Sequence, residues 1–209
     1  MSGSPHAPSD DLRSSFGEID IYLFDQLLKG NFDERRRVLD AGCGYGRNLV
    51  FLLRNGFDCY AVDRDPAAVA ATRRLARLVV PTLPDDHFRV AAIERLPWDT
   101  GSMDAVICSA VLHFVADEEQ FARAVDELFR VLAPGGLLFA RLASSIGLEG
   151  SLSTIRGVVR LPDGSDRFVV DEALLLDTTA RLGARLVDPI KTTNVQSVRC
   201  MTTWTLEKL

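Results

Sequence analysis

The sequence predicts an α/β fold, with a mostly parallel sheet and helices on both faces. Three observations predict it. Short apolar segments alternate with helical ones from residue 37 to residue 142, in repeated strand–helix units. A glycine-rich turn follows the first of those strands. Near the C-terminus, two extended segments are joined with no helix between them, so they must pair antiparallel.

Residues 1–11 are rich in Ser, Pro and Asp, and residues 1–14 are expected to form a flexible tail. The domain is expected over 15–209. Its first element is a helix from Ser15 to Lys29, with apolar residues at 19, 23, 24, 27 and 28. Residues 15–35 are read as an N-terminal helix and lid. Arg37 to Ala41 is the first strand, Arg47 to Asn55 a helix, and Phe57 to Val62 the second strand. Pro66 suits a helix start, and the helix continues to Val79. His87–Ala91 and Ser102–Ala110 are the third and fourth strands. Asp117 to Leu132 is a helix with Phe121, Val125, Leu128 and Phe129 on one face. Pro134-Gly135-Gly136 turns the chain into a fifth strand, Leu137–Leu142. Residues 147–170 are expected to be an insertion, with a hairpin at Gly157–Leu161 and a Pro162-Asp163-Gly164 turn. Asp171–Leu182 is the last helix, and Arg185–Thr193 and Val198–Leu206 are the closing strands.

Composition narrows the function. The 209 residues are 47% apolar and 25% charged, which suits one globular domain and excludes global disorder. The net charge of −5 lowers the expectation of a nucleic-acid partner, which needs a basic footprint. The longest weakly polar run, Ala105–Ala116, is too short for a membrane span of about 20 residues. No basic-then-apolar leader opens the chain. Cys43, Cys59, Cys108 and Cys200 have no Cys-x-x-Cys spacing and read as buried thiols. A reducing, cytoplasmic setting is the expectation.

The most informative stretch is Val38-Leu39-Asp40-Ala41-Gly42-Cys43-Gly44-Tyr45-Gly46-Arg47-Asn48. A strand ends, three glycines alternate, and a helix begins, which marks a nucleotide-like ligand site at the C-terminal edge of the sheet. The dinucleotide pattern would need glycine at 47, where Arg stands. A carboxylate at Asp40 repels a pyrophosphate and suits an ammonium or sulfonium. Asp63 closes the second strand about 20 residues on, where a carboxylate accepts ribose hydroxyls. Arg64 is placed to lay its stem along a base. Asp65 reads as the cap of the helix that starts at Pro66.

These segments resemble the class I S-adenosylmethionine-dependent methyltransferases. The matching set includes Ala61-Val62-Asp63, Leu96-Pro97-Trp98, Met103-Asp104-Ala105-Val106-Ile107-Cys108-Ser109, Val111-Leu112-His113-Phe114 and Phe129-Arg130-Val131-Leu132-Ala133-Pro134-Gly135-Gly136-Leu137-Leu138, over about residues 37–142 in the family's order. Gly46-Arg47-Asn48 and the C-terminal pattern are most similar to the small-molecule branch that includes tellurite-resistance-type methyltransferases. The resemblance implies a Rossmann-like three-layer sandwich, with a seven-stranded sheet whose last strand is antiparallel. It implies S-adenosylmethionine as cofactor. Asp40, Gly42, Cys43, Gly44 and Asn48 would then hold its methionine end, and Asp63 and Arg64 its ribose side. Ile93 and Glu94 would lie by adenine, and Ser109 and Ala110 would close the site. Ala92 stands where many relatives carry an adenine-contacting Asp.

Methyl transfer from a sulfonium depends on placing a nucleophile in line and excluding water. His113 is the candidate base or acceptor-positioning residue. Tyr22, Arg141 and Ser144 are candidates for the acceptor pocket. No Asn-Pro-Pro-Tyr-type motif follows the fourth strand, so a small-molecule acceptor is expected, with no nucleic acid, no membrane and no metal, in a monomer or homodimer. Two rivals stand beside this reading. One is a non-catalytic cofactor-binding module or partner subunit of the same fold. The other is a nicotinamide oxidoreductase, which Asp40 and Arg47 disfavour.

Overall fold

The computed structural model describes residues 8–148, 156–161, 164–196 and 198–209. Strands β1 (Arg37–Ala41), β2 (Asp58–Asp63), β3 (Phe88–Val90), β4 (Met103–Ser109) and β5 (Leu132–Ser144) are parallel to one another. The chain then forms a separate antiparallel hairpin, β6 (Gly157–Arg160) with β7 (Asp166–Val169). It returns to the sheet as β8 (Ala184–Leu186), β9 (Lys191–Val195) and the antiparallel β10 (Arg199–Lys208). The order across the sheet is β3-β2-β1-β4-β5-β10-β8, with β9 also on β10.

Helices α1 (Pro8–Phe16), α2 (Ile21–Leu28), α3 (Leu49–Arg54) and α4 (Pro66–Val79) precede α5 (Glu118–Val131) and α6 (Glu172–Arg181). Two buried clusters cover the two sheet faces. One gathers Leu23, Leu49, Leu52 and Val69 from α2, α3 and α4 against Val38, Cys59 and Ile107. The other gathers Phe121, Leu128 and Leu174 from α5 and α6 against Leu39, Val106 and Trp204. Strand alternation sends neighbouring residues such as Val38 and Leu39 to opposite clusters, which gives three layers. The fully buried Trp204 keeps its indole N–H satisfied on Thr179 Oγ1 at 3.0 Å.

Four local expectations are corrected. Residues 8–14, assigned to the tail, lie in α1, and only 1–7 fall outside the described residues. The single helix over 15–29 is two, because Gly17 takes φ +66° and Asp20 caps a fresh start by accepting from Tyr22 N at 2.9 Å. The fifth strand begins at Leu132, since register runs Met103↔Leu132 and then Ala105↔Leu137, so that residues 133–136 bulge. The strand over 185–193 is interrupted, and β8 and β9 lie end to end along β10. The sheet keeps the expected seven strand positions, the one beyond β10 being divided into β8 and β9. Pro162, Asp163 and residues 149–155 of the insertion lie outside the described residues.

Candidate functional site

The C-terminal tips of β1, β2 and β4 open on a cleft of about 400 Å³. Gly42, Gly44, Asp63 and Arg64 form one wall, Ala92, Ile93 and Glu94 a second, and Ala110, Val111, Phe114 and Gln120 a third. The glycine turn is fixed by two N–H donors, Gly42 and Cys43, on Val62 O at 2.8 and 3.0 Å. Gly42 has φ +79°, and a Cβ there would stand 2.3 Å from Val111 Cγ2. Gly44 has φ +51°, and a Cβ there would meet nothing within 4 Å. Gly42 is thus required by packing, whereas Gly44 keeps open space at the cleft wall.

Asp63 accepts from Gly44 N and from Asp65 N, both at 3.0 Å. Each carboxylate oxygen keeps a further lone pair for a hydroxyl donor. Glu94 accepts from Gln120 Nε2 in a short contact, and Gln120 Oε1 accepts from Ala116 N at 2.7 Å.

A second group lies beside this cleft, toward β5. Asp20 is buried, and its Oδ2 accepts from Ser109 Oγ at 2.9 Å. The same oxygen sits 3.5 Å from both Arg47 and Arg141. Arg141 lies over the Tyr22 ring at 4.8 Å, and the Tyr22 hydroxyl meets Thr193 in a short hydrogen bond. Helix α2 is tied to the C-terminal strands by Lys29 on Asp188 and Lys191 on Asp25, at 2.7 and 2.9 Å.

Burial controls the titratable groups. It pushes the Asp40 carboxyl up to about 7; Asp63 adds to the rise, while Arg47 and Asn48 oppose it. Asp40 Oδ2 is buried with no hydrogen-bond partner. Burial also lowers the His113 imidazole to about 4, helped by the Arg167 and Arg141 charges, and His113 Nδ1 is likewise unpartnered. The Cys43 thiol is pushed up to about 12, so it is an inert packing group. All four cysteines are free and buried.

Gly42, Gly44, Asp63, Arg64, Ile93, Glu94 and Ala110 therefore meet at one cleft. Asp40, Cys43 and Asn48 lie behind its floor, each 4% exposed or less. Tyr22, Ser109 and Arg141 belong to the second group, and His113 is buried against Phe114, which lines the cleft. Ser144 is a correction: its hydroxyl bonds Thr202 Oγ1 at 2.5 Å, between β5 and β10, and it does not reach the cleft. Sequence reasoning missed Asp20, Gln120 and the cleft role of Phe114. Asp20 had one signal, an Asp just before an apolar helical run, and that signal reports a cap. Among the described residues, no helix is long and apolar enough to cross a membrane, and no cluster of three His, Cys, Asp or Glu residues could hold a metal ion.

Comparison with known proteins agrees with this layout. Residues 39–140 match the methyltransferase domain family. An uncharacterised methyltransferase of Mycobacterium bovis is 37% identical over 103 residues, 49% of this chain and 38% of that protein. A malonyl-[acyl-carrier protein] O-methyltransferase of Enterobacter lignolyticus is 33% identical over 142 residues, 66% of this chain and 51% of that one. The chain thus spans less than two thirds of these relatives' length. The 1,6-didemethyltoxoflavin-N1-methyltransferase of Burkholderia thailandensis, solved with bound 1,6-didemethyltoxoflavin and S-adenosylhomocysteine, superposes with a TM-score of 0.69. Its identity is 17%, covering 100% of this chain and 93% of that one. Residues 39–140 thus match a methyltransferase domain, and the chain has the fold of solved S-adenosylmethionine-dependent methyltransferases.

Proposed function

We propose that this chain transfers a methyl group from S-adenosylmethionine to a small-molecule acceptor. The observation that carries the reading is the cleft wall at Gly44, open where a Cβ would stand, beside an Asp63 with lone pairs to spare. The residues fit the cofactor. Asp63 would take the ribose hydroxyls, and the backbone of Ala92 and Ile93, with Glu94, would face adenine. Asp40 has an unpartnered oxygen behind the loop, which suits the positive end of the methionine part. When bound, the cofactor supplies an electrophilic methyl group.

The chain's own residues would do the rest. Ser109 and Ala110, at the β4 tip, would separate the cofactor from the acceptor. Tyr22 and Arg141 would cover the acceptor side and exclude water. His113 is neutral above about pH 4, so its imidazole would accept a hydrogen bond from the acceptor more readily than hold its proton. It is therefore read as positioning the acceptor. One relative is an O-methyltransferase, which supports an oxygen nucleophile. The likeness to tellurite-resistance-type enzymes rests on the Gly46-Arg47-Asn48 pattern and the C-terminal pattern. A cytoplasmic setting and a monomer or homodimer, with no nucleic-acid partner, belong to the same proposal.

Calorimetry with S-adenosylhomocysteine tests it, with NADH as the competitor. Micromolar binding of the first and none of the second supports the reading. Binding of NADH alone overturns it. Binding of the first without S-adenosylhomocysteine release from S-adenosylmethionine, across an acceptor screen, would favour the non-catalytic module.

A further inference from the structure

Two guanidinium groups at the edge of the cleft share one carboxylate oxygen. Arg47 and Arg141 both point at Asp20 Oδ2, and each stands 3.5 Å from it. A charge-assisted N–H···O bond settles at about 2.7–2.9 Å. Both contacts are therefore long, and neither arginine has the bidentate partner its geometry favours. Arg141 Nε is buried and has no hydrogen-bond partner at all. The Arg141 guanidinium lies over the Tyr22 ring at 4.8 Å, and that ring is itself pinned through its hydroxyl to Thr193. A third cation, Arg167, lies over the Phe114 ring at 4.6 Å. In a chain of net charge −5, two guanidinium groups here face one carboxylate oxygen.

We propose that the acceptor is an organic carboxylate, gripped by Arg141 and Arg47 in the place that Asp20 Oδ2 takes in the free protein. This rests on the methyltransferase reading and names the substrate class of that site. Asp20 then acts as an internal placeholder. It keeps the two arginines from repelling each other until an anion arrives, and it keeps its second oxygen on Tyr22 N as the cap of α2.

The cofactor's own amino-acid tail also ends in a carboxylate and is the rival occupant. Arg47 directly follows the glycine turn at the tip of β1, while Arg141 is on β5, opposite Ser109 of β4, two strand spacings or roughly 10 Å away. Arg141 is therefore the arginine whose removal tells the acceptor from the tail.

The test uses the full chain and four proteins: wild type, Arg141→Met, Arg47→Met and Asp20→Asn. Benzoate and hexanoate are titrated into protein saturated with S-adenosylhomocysteine, with benzamide and hexanamide as neutral isosteres. We expect the carboxylates to bind at least about tenfold tighter than the amides. Arg141→Met should remove that preference, and Arg47→Met, at a half-exposed position, should reduce it even if Arg141→Met fails to fold. Asp20→Asn should raise carboxylate affinity severalfold, which a purely structural Asp20 would not do. Equal binding of carboxylates and amides, absence of binding by both, or an unchanged preference in both arginine variants overturns the proposal. So does Arg141→Met weakening S-adenosylhomocysteine while sparing 5′-methylthioadenosine, which lacks the tail. Failure of wild type to bind S-adenosylhomocysteine would instead sink the methyltransferase reading itself.

Discussion

The two ends of the site are built in opposite ways. The proposed cofactor end comes from consecutive residues: Gly42–Gly44 on one turn, Asp63–Arg64 on the next strand tip, Ala92–Glu94 on the third. The proposed acceptor end is assembled from residues 20, 22, 47, 109, 141 and 193, drawn from both ends of the chain and its middle. The first is backbone shape with carboxylates on its rim. The second is side chains, two of them guanidinium groups, held by one another. A backbone-made site breaks when a side chain is added, and a side-chain-made site breaks when one is removed.

The sharpest way to break that contrast is Gly44→Val. The added side chain enters the open wall of the cleft, and the residue keeps φ +51° at a cost of about 1–2 kcal/mol. We expect S-adenosylhomocysteine affinity to fall by about 100-fold or more. Gly56→Val is the control. It has φ +75° with nothing within 4 Å, and it lies in the turn between α3 and β2, away from the cleft. It should lose comparable stability by thermal melting and bind normally. If both variants bind alike, the cofactor end is not shaped by Gly44.

The same contrast explains what the sequence made legible. The strand tips, the glycine turn and Asp63 are local: a few neighbouring residues state both the backbone geometry and the chemistry. The antiparallel end of the sheet was legible because two strands with no helix between them have one way to pair. Asp20 was not legible, since its pattern reports a helix cap and its partners lie 27, 89 and 121 residues away. Ser144 was misplaced for a related reason. Strand alternation could not tell the cleft from the β10 side until the pairing Cys200↔Ser144 was known. The split of the 15–29 helix was hidden because its apolar spacing continues across Gly17.

Stability against pH tests two buried titratable groups, Asp40 and His113. Asp40 has its carboxyl raised to about 7 from 3.8, so its contribution to stability is present at low pH and is lost as pH rises between those values. His113 has its imidazole lowered to about 4 from 6.5, so its contribution is present above 6.5 and is lost as pH falls toward 4. The two slopes oppose each other across the same window. In urea titrations from pH 4 to 7, Asp40→Asn should gain stability relative to wild type with rising pH, and His113→Asn should lose it. Each difference is of the order of 2–4 kcal/mol. Parallel profiles for both variants would show that neither group is buried as described. In the same series, a positively charged ligand above the glycine turn should bind wild type more tightly as pH rises through 7, and Asp40→Asn should lose that dependence.

Asp63→Ala asks whether the rim of the cofactor end carries energy of its own. Removing the carboxylate leaves ribose hydroxyls without an acceptor and frees Gly44 N and Asp65 N. We expect a loss of about 1–3 kcal/mol in S-adenosylhomocysteine binding by calorimetry. Unchanged affinity would refute the ribose assignment.

Ala110 is where the two ends meet, and it carries the smallest expected effect. It lines the cofactor cleft, yet its N–H donates to the Arg141 carbonyl at 2.7 Å. It does so at φ +63°, a left-handed conformation that an L-residue with a Cβ adopts at a cost of about 1–2 kcal/mol. Glycine would relieve that cost and give back part of it through the greater freedom of the unfolded chain. Ala110→Gly should therefore stabilise the free protein by about 0.5–1 kcal/mol, seen as a melting temperature higher by about 1–4 °C. The same change loosens a residue that joins the β4 tip to Arg141. Carboxylate binding at the acceptor end should then weaken slightly while S-adenosylhomocysteine binding holds. A variant that is less stable than wild type would mean that the Ala110 methyl group packs usefully and that the strain at the junction is smaller than its φ implies.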